Sequence, residues 1–216
     1  MKSDAQIKQD VLAELKWDPE IDDAKLTISV QHGAATLKGF APTYRQKIAA
    51  RTATKRVAGV VALVDEIEVH LDSEHWTSDE ALAERIANVL RWNVSNQTPD
   101  IKAEIKHGVV TLTGDVEWQY QRANIQKNIE HVSGVLDVID LISLKPKVSA
   151  GDVQKRIMDA LRRHADFESS KISVTAAGGT VTLKGEVESM EEMDRIEAAA
   201  WLAPGVTKVV DQLRVA

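Results

Sequence analysis

The chain has no cysteine, which excludes disulfides, thiolate nucleophiles and cysteine-based zinc sites together. It has no apolar run near the roughly 20 residues needed to cross a bilayer, so any membrane association is expected to be peripheral. The first ten residues lack the apolar core of a secretory leader and already read as helix. The expected compartment is therefore the cytoplasm as the chain is written, or the periplasm if it is a processed form. No phosphate loop, nucleophile elbow or Ser/His/Asp arrangement is present, because the glycine-rich pieces sit in hairpins instead of leading into helices. The expectation is a protein that is not an enzyme, with no cofactor, no metal and no identifiable small-molecule substrate. Phe and Tyr are scarce, two of each beside five Trp, and the net charge is -6. An acidic balance without interleaved basic and aromatic residues argues against a nucleic-acid partner.

What the chain does contain is repetition, the signal to look for before any other. Gly33, Gly39 and Gly59 recur as Gly108, Gly114 and Gly134, and again as Gly179, Gly185 and Gly205, with gaps of six and twenty residues each time. In the same register lie Thr36-Leu37, Thr111-Leu112 and Thr182-Leu183, then Asp65, Asp140 and Asp211. The 216 residues therefore divide into three copies, bounded at 1–71, 77–146 and 149–216.

Each copy opens on helical spacing: Ile7, Val11 and Leu15; Leu82, Ile86 and Leu90; Val153, Ile157 and Leu161. Ser3-Asp4, Ser78-Asp79 and Asp152 stand ahead as N-caps. Period-two alternation follows, as in Leu26, Ile28 and Val30, then a glycine turn and a second alternating run through Leu37, Leu112 or Leu183. Helical spacing returns near 44–57, 119–132 and 190–202, with Ala50, Ile125 and Ile196 facing inward, and a last strand ends each copy. The fold class predicted is α+β: three tandem αββαβ modules, each a three-stranded mixed sheet covered on one face by two helices. The first two strands form an antiparallel hairpin. A right-handed crossover sets the second and third parallel.

The segments Gly108-Val109-Val110-Thr111-Leu112-Thr113-Gly114-Asp115-Val116 and Gly134-Val135-Leu136-Asp137-Val138-Ile139-Asp140 resemble the BON domain, named for bacterial osmotically inducible and nodulation proteins. Gly179 to Val187 and Gly205 to Asp211 look like the same motif, and the first copy departs in Ala34-Ala35 and Phe40-Ala41. The resemblance implies phospholipid binding at a membrane surface in osmotic or envelope stress. Family members usually lie in the periplasm or outer membrane. A cytoplasmic type that binds potassium pairs this domain with a LysM segment that is lacking here, and cytoplasmic potassium binding stands as a further alternative.

Two groups of residues are candidates for an anionic phospholipid surface. Arg45, Lys47, Arg51, Lys55 and Arg56 lie on one helix with no acid between Tyr44 and Val57. Trp17, Trp92 beside Arg91, and Trp118 lie at helix ends, as packing anchors or as interfacial anchors in a headgroup layer. Lys155, Arg156, Arg162 and Arg163 of the third copy are similar candidates. The equivalent of the basic helix in the third copy carries Glu188, Glu191, Glu192, Asp194 and Glu197 against Arg195. Opposite signs on equivalent surfaces raise the alternative of a self-associating scaffold, a homo-oligomer joined head to tail. The recurrent Asp65, Asp140 and Asp211 are expected to bond to backbone, since equivalent positions of separate modules lie far apart. His70, Glu74 and His75, in a linker with no fixed geometry, read as solvated, as do the turn residues His32 and His107.

Overall fold

The computed structural model describes residues 2–73, 76–93, 101–145, 157, 172–177, 179–203 and 205–215. The first module runs α1 (Asp4–Trp17), β1 (Leu26–Gln31), β2 (Ala34–Ala41), α2 (Tyr44–Arg56) and β3 (Ala62–Val69). The second runs α3 (Asp79–Asn93), β4 (Lys102–Lys106), β5 (Val109–Val116), α4 (Gln119–Glu130) and β6 (Asp137–Leu144). In the third are β7 (Ile172–Ala177), β8 (Thr180–Val187), α5 (Met190–Trp201) and β9 (Lys208–Val215). Of its expected first helix, Ile157 is described; it is helical and buried. Val153 and Leu161 lie outside the described residues.

Three separate three-stranded sheets result, with orders β1-β2-β3, β4-β5-β6 and β7-β8-β9. In each the hairpin is antiparallel and the crossover pair parallel, so the fold expected from the repeat is the fold observed. The middle strand is central because it pairs on both sides, and its residues alternate between the helix-covered and the open face identically in the three copies. Leu37, Leu112 and Leu183 are fully buried at the same register position. Each such leucine stabilises its module by roughly 1.5–3 kcal/mol. Thr27 and Ser29 stay exposed on the open face.

Local chemistry explains the boundaries. Ser3 caps α1 in a capping box: the Gln6 amide donates to Ser3 Oγ at 3.3 Å, and Gln6 Oε1 accepts from the Ser3 amide at 2.8 Å. The hairpin between β1 and β2 turns on two residues, His32 at φ 52° and Gly33 at φ 76°. Two consecutive positive φ values match the twist of a right-handed hairpin. At Gly39, φ is 128° and a Cβ would stand 2.0 Å from the Lys25 carbonyl oxygen, so a side chain has no room.

The modules do not stand apart. Tyr44 of α2 is buried in the second module's core, with Ile48 and Val69 packed against the same cluster. Met190, at the start of α5, packs on the first module's core. Helix α2 thus touches both neighbours, which adds burial to modules of about 65 residues whose own cores are small.

Candidate functional site

The five basic residues of α2 each face a carboxylate. Arg45 pairs with Glu20 of the preceding loop, and Arg56 lies 3.5 Å from Glu14 of α1. Lys47 and Arg51 reach Asp65 of β3 at 3.4 and 3.5 Å, and Lys47 also donates to the Ile67 carbonyl at 2.8 Å. Lys55 meets Asp194 of α5 at 2.8 Å. The helix reads as basic in sequence because its acids come from other elements.

One of these pairs revises the expectation of head-to-tail assembly. The oppositely charged helices α2 and α5 pack on each other inside one chain, so part of the complementarity expected to join chains is consumed within it.

The recurrent aspartates do what their register suggests. Asp65, Asp140 and Asp211 each accept, through Oδ1, the backbone N–H two residues ahead, from Ile67 at 3.0 Å, Ile142 at 2.9 Å and Leu213 at 2.8 Å. Edge strands β3, β6 and β9 leave such amides without a ladder partner, and the carboxylate satisfies them. Asp140 also holds Arg122 of α4 at 2.7 Å, tying helix to strand.

A second aspartate pair escaped notice in the sequence because it looked like helix capping alone. Asp4 accepts from the His32 and Gly33 amides at 2.8 and 3.0 Å, and Asp79 accepts from His107 and Gly108 at 2.8 and 2.9 Å. Each helix start clamps the tip of its own hairpin. The two backbone donors hold both carboxyls below the usual carboxylate value, the glycine amide contributing most. Matching positions 28 and 29 residues apart were the available signal.

Where α2 meets the second module, Tyr44 is pushed up to about 12 by burial first, then by Asp137 and Glu130. Burial likewise raises the Glu130 carboxyl. The adjoining cleft of about 470 Å³ is lined by Glu20, Thr43, Tyr44, Arg45 and His131 among others. Its charged groups are engaged within their own modules, Glu20 with Arg45 in the first and the His131 ring with the Lys127 carbonyl in the second.

The tryptophans divide. Trp17 is 85% exposed at the end of α1, which removes the reading of it as a packing anchor. Trp118 precedes α4 as its N-cap, half-buried, with its ring stacked on Tyr120 at 6.5 Å. Trp92 lies in the last turn of α3 next to the exposed Arg91, and its side chain is outside the described residues. So are Glu74, His75, Lys155, Arg156, Arg162 and Arg163. The His70 ring lies 4.2 Å from that of Phe40, tilted by 30°, and contacts Glu68 at 3.1 Å. Among the described residues no group of three or more His, Asp or Glu converges as metal ligands, and no helix is long and apolar enough to cross a membrane.

The outer face of α1 offers a different combination. Lys8, Leu12 and Lys16, at i, i+4 spacing, are exposed along one flank, and Trp17 is exposed at the helix end. Among the described residues neither lysine has an ion-pair partner.

Comparison with known proteins agrees with the repeat. The model of the BON domain matches residues 3–70, 78–146 and 149–216. The osmotically-inducible protein Y of Escherichia coli strain K12 is 28% identical over 148 residues, 65% of this chain and 74% of that protein. An uncharacterized protein of Anaplasma centrale is 25% identical over 122 residues, 53% of this chain and 81% of its own length. Among solved structures, CdsD, a structural protein of the type III secretion system of Chlamydia trachomatis, aligns over 98% of this chain and 92% of that one, at 13% identity and a TM-score of 0.27.

Proposed function

The chain belongs to the BON domain family, three copies in tandem, and from that premise we propose that it is a non-catalytic protein that docks on anionic phospholipid surfaces under osmotic or envelope stress. The stress context is supported by its similarity to an osmotically inducible protein. The observation that carries the surface reading is the exposed surface of α1, which presents Lys8, Leu12 and Lys16 along one flank and an indole 85% exposed at its C-terminal end. An indole and a leucine are suited to the boundary between headgroups and acyl chains, and flanking lysines are drawn to the negative leaflet at about 1 kcal/mol each. Helix α2, first in line as a basic patch, contributes less, because its cations already have acidic partners.

Sedimentation of the full chain with phosphatidylglycerol and phosphatidylcholine vesicles at physiological salt tests this. Binding is expected to the first and weakly to the second, with a blue shift of tryptophan emission. The double change Lys8→Glu and Lys16→Glu should weaken binding by roughly tenfold or more, and Trp17→Ala should remove most of the blue shift. No sedimentation with phosphatidylglycerol would dismiss the reading.

A further inference from the structure

Between α4 of the second module and α5 of the third runs a groove of about 710 Å³, within the usual range for small-molecule sites. It does not touch the face of α1. Three aromatic side chains, Trp118, Tyr120 and Trp201, line it together with Leu202, and its charged lining residues are Asp194 and Glu197, both acidic. These aromatic residues are held rather than loose. Trp118 and Tyr120 stack, and the Trp201 indole donates from Nε1 to Glu197 Oε1 at 3.1 Å. Asp194 already holds Lys55, whereas Glu197 has no ion-pair partner among the described residues and supplies the groove's remaining negative charge.

An anion is repelled by such a lining. A bare metal ion or potassium would need several oxygen ligands to replace its hydration shell, and among the described residues no group of three or more His, Asp or Glu converges to supply them. A cation with an apolar skin fits the aromatic and acidic lining: ring faces attract the diffuse positive charge and the carboxylate balances it, although the buried Gln119 Oε1 gains no donor from such a ligand. We propose that this groove binds a free quaternary ammonium compound, held over Trp118, Tyr120 and Trp201 with Glu197 as counter-charge. The site is composite: neither module makes it alone.

Trp118 and Trp201 report on their own occupancy. Titration of the full chain with choline chloride should give a saturable change in tryptophan emission in the millimolar range. The uncharged carbon isostere of choline, and potassium chloride at equal ionic strength, should give none. Glu197→Gln should weaken choline binding about tenfold. Leu202→Lys, at a residue 67% exposed and so harmless to folding, should abolish it by placing a cation on the rim. Trp17→Ala should leave it unchanged, which keeps this site distinct from the lipid surface. The proposal is overturned if choline and its isostere act alike, if neither acts, if E197Q and L202K titrate as the parent chain does, or if phosphatidylcholine vesicles bind where free choline does not.

Discussion

Lys55 Nζ lies 2.8 Å from Asp194 Oδ2, although 139 residues separate them in the chain. This contact joins the second helix of the first module to the second helix of the third. It changes the meaning of the chain's charge pattern. A basic helix and an acidic helix that look like open surfaces are, at their point of contact, each other's partner.

The pair itself should matter little to stability. Its side chains are 26% and 51% exposed, and exposed pairs are worth about 0–1 kcal/mol. A double-mutant cycle on Lys55→Ala and Asp194→Ala, followed by chemical unfolding, should give a coupling below about 1 kcal/mol. Met190→Ala, which removes apolar contact with the first module's core, should cost about 1–2 kcal/mol.

Acid should loosen the hairpins through Asp4 and Asp79. Their carboxyls are depressed below 3.8 in the folded chain by backbone N–H donors. A depressed folded value means that the stabilisation is fully present above the unfolded value and is lost as pH falls through the folded one. Unfolding followed from neutral pH to below 3.8 should therefore show an acid limb. Asp4→Asn with Asp79→Asn should flatten that limb, and lower stability at neutral pH.

The boundary between the first and second modules should respond in the opposite sense. Tyr44 is raised to about 12 from 10.0, so between these values the unfolded chain has lost a proton that the folded chain keeps. Stability then falls as pH climbs through that window. Tyr44→Phe should remove this alkaline loss. Glu130, raised by burial, follows the same sign: as pH rises above 4.5 its ionisation costs the folded state some stability, and Glu130→Gln should stabilise the chain at neutral pH in a thermal melt.

Gly39→Ala should damage the first module specifically. The new Cβ would collide with the Lys25 carbonyl oxygen at 2.0 Å, at a φ of 128° that side chains rarely adopt. A cost of about 3 kcal/mol is expected from strain and overpacking combined. Amide hydrogen exchange should show protection lost in β1 and β2 more than in the third module's β7 and β8.

Much of the candidate site was legible locally. Trp17 at a helix end, the i+2 role of Asp65, Asp140 and Asp211, and the His32-Gly33 turn are all short-range chemistry. The pairing of α2 was not legible, because Glu14, Glu20, Asp65 and Asp194 reach it from four different elements. Nor was the groove between α4 and α5: Trp118 and Trp201 are distant in sequence, and the repeat does not say how modules face one another.

By itself the order of residues determined the module: glycine positions that only positive φ explains, apolar periods of 3.6 and 2, and caps at the helix starts. These act within about 70 residues and specify backbone shape through sterics and hydrogen bonding. Tertiary structure alone decided which charges are neutralised, which tryptophans meet solvent and where two helices leave a groove. Those outcomes depend on packing between modules, where long-range burial and electrostatics select one arrangement that no local pattern encodes.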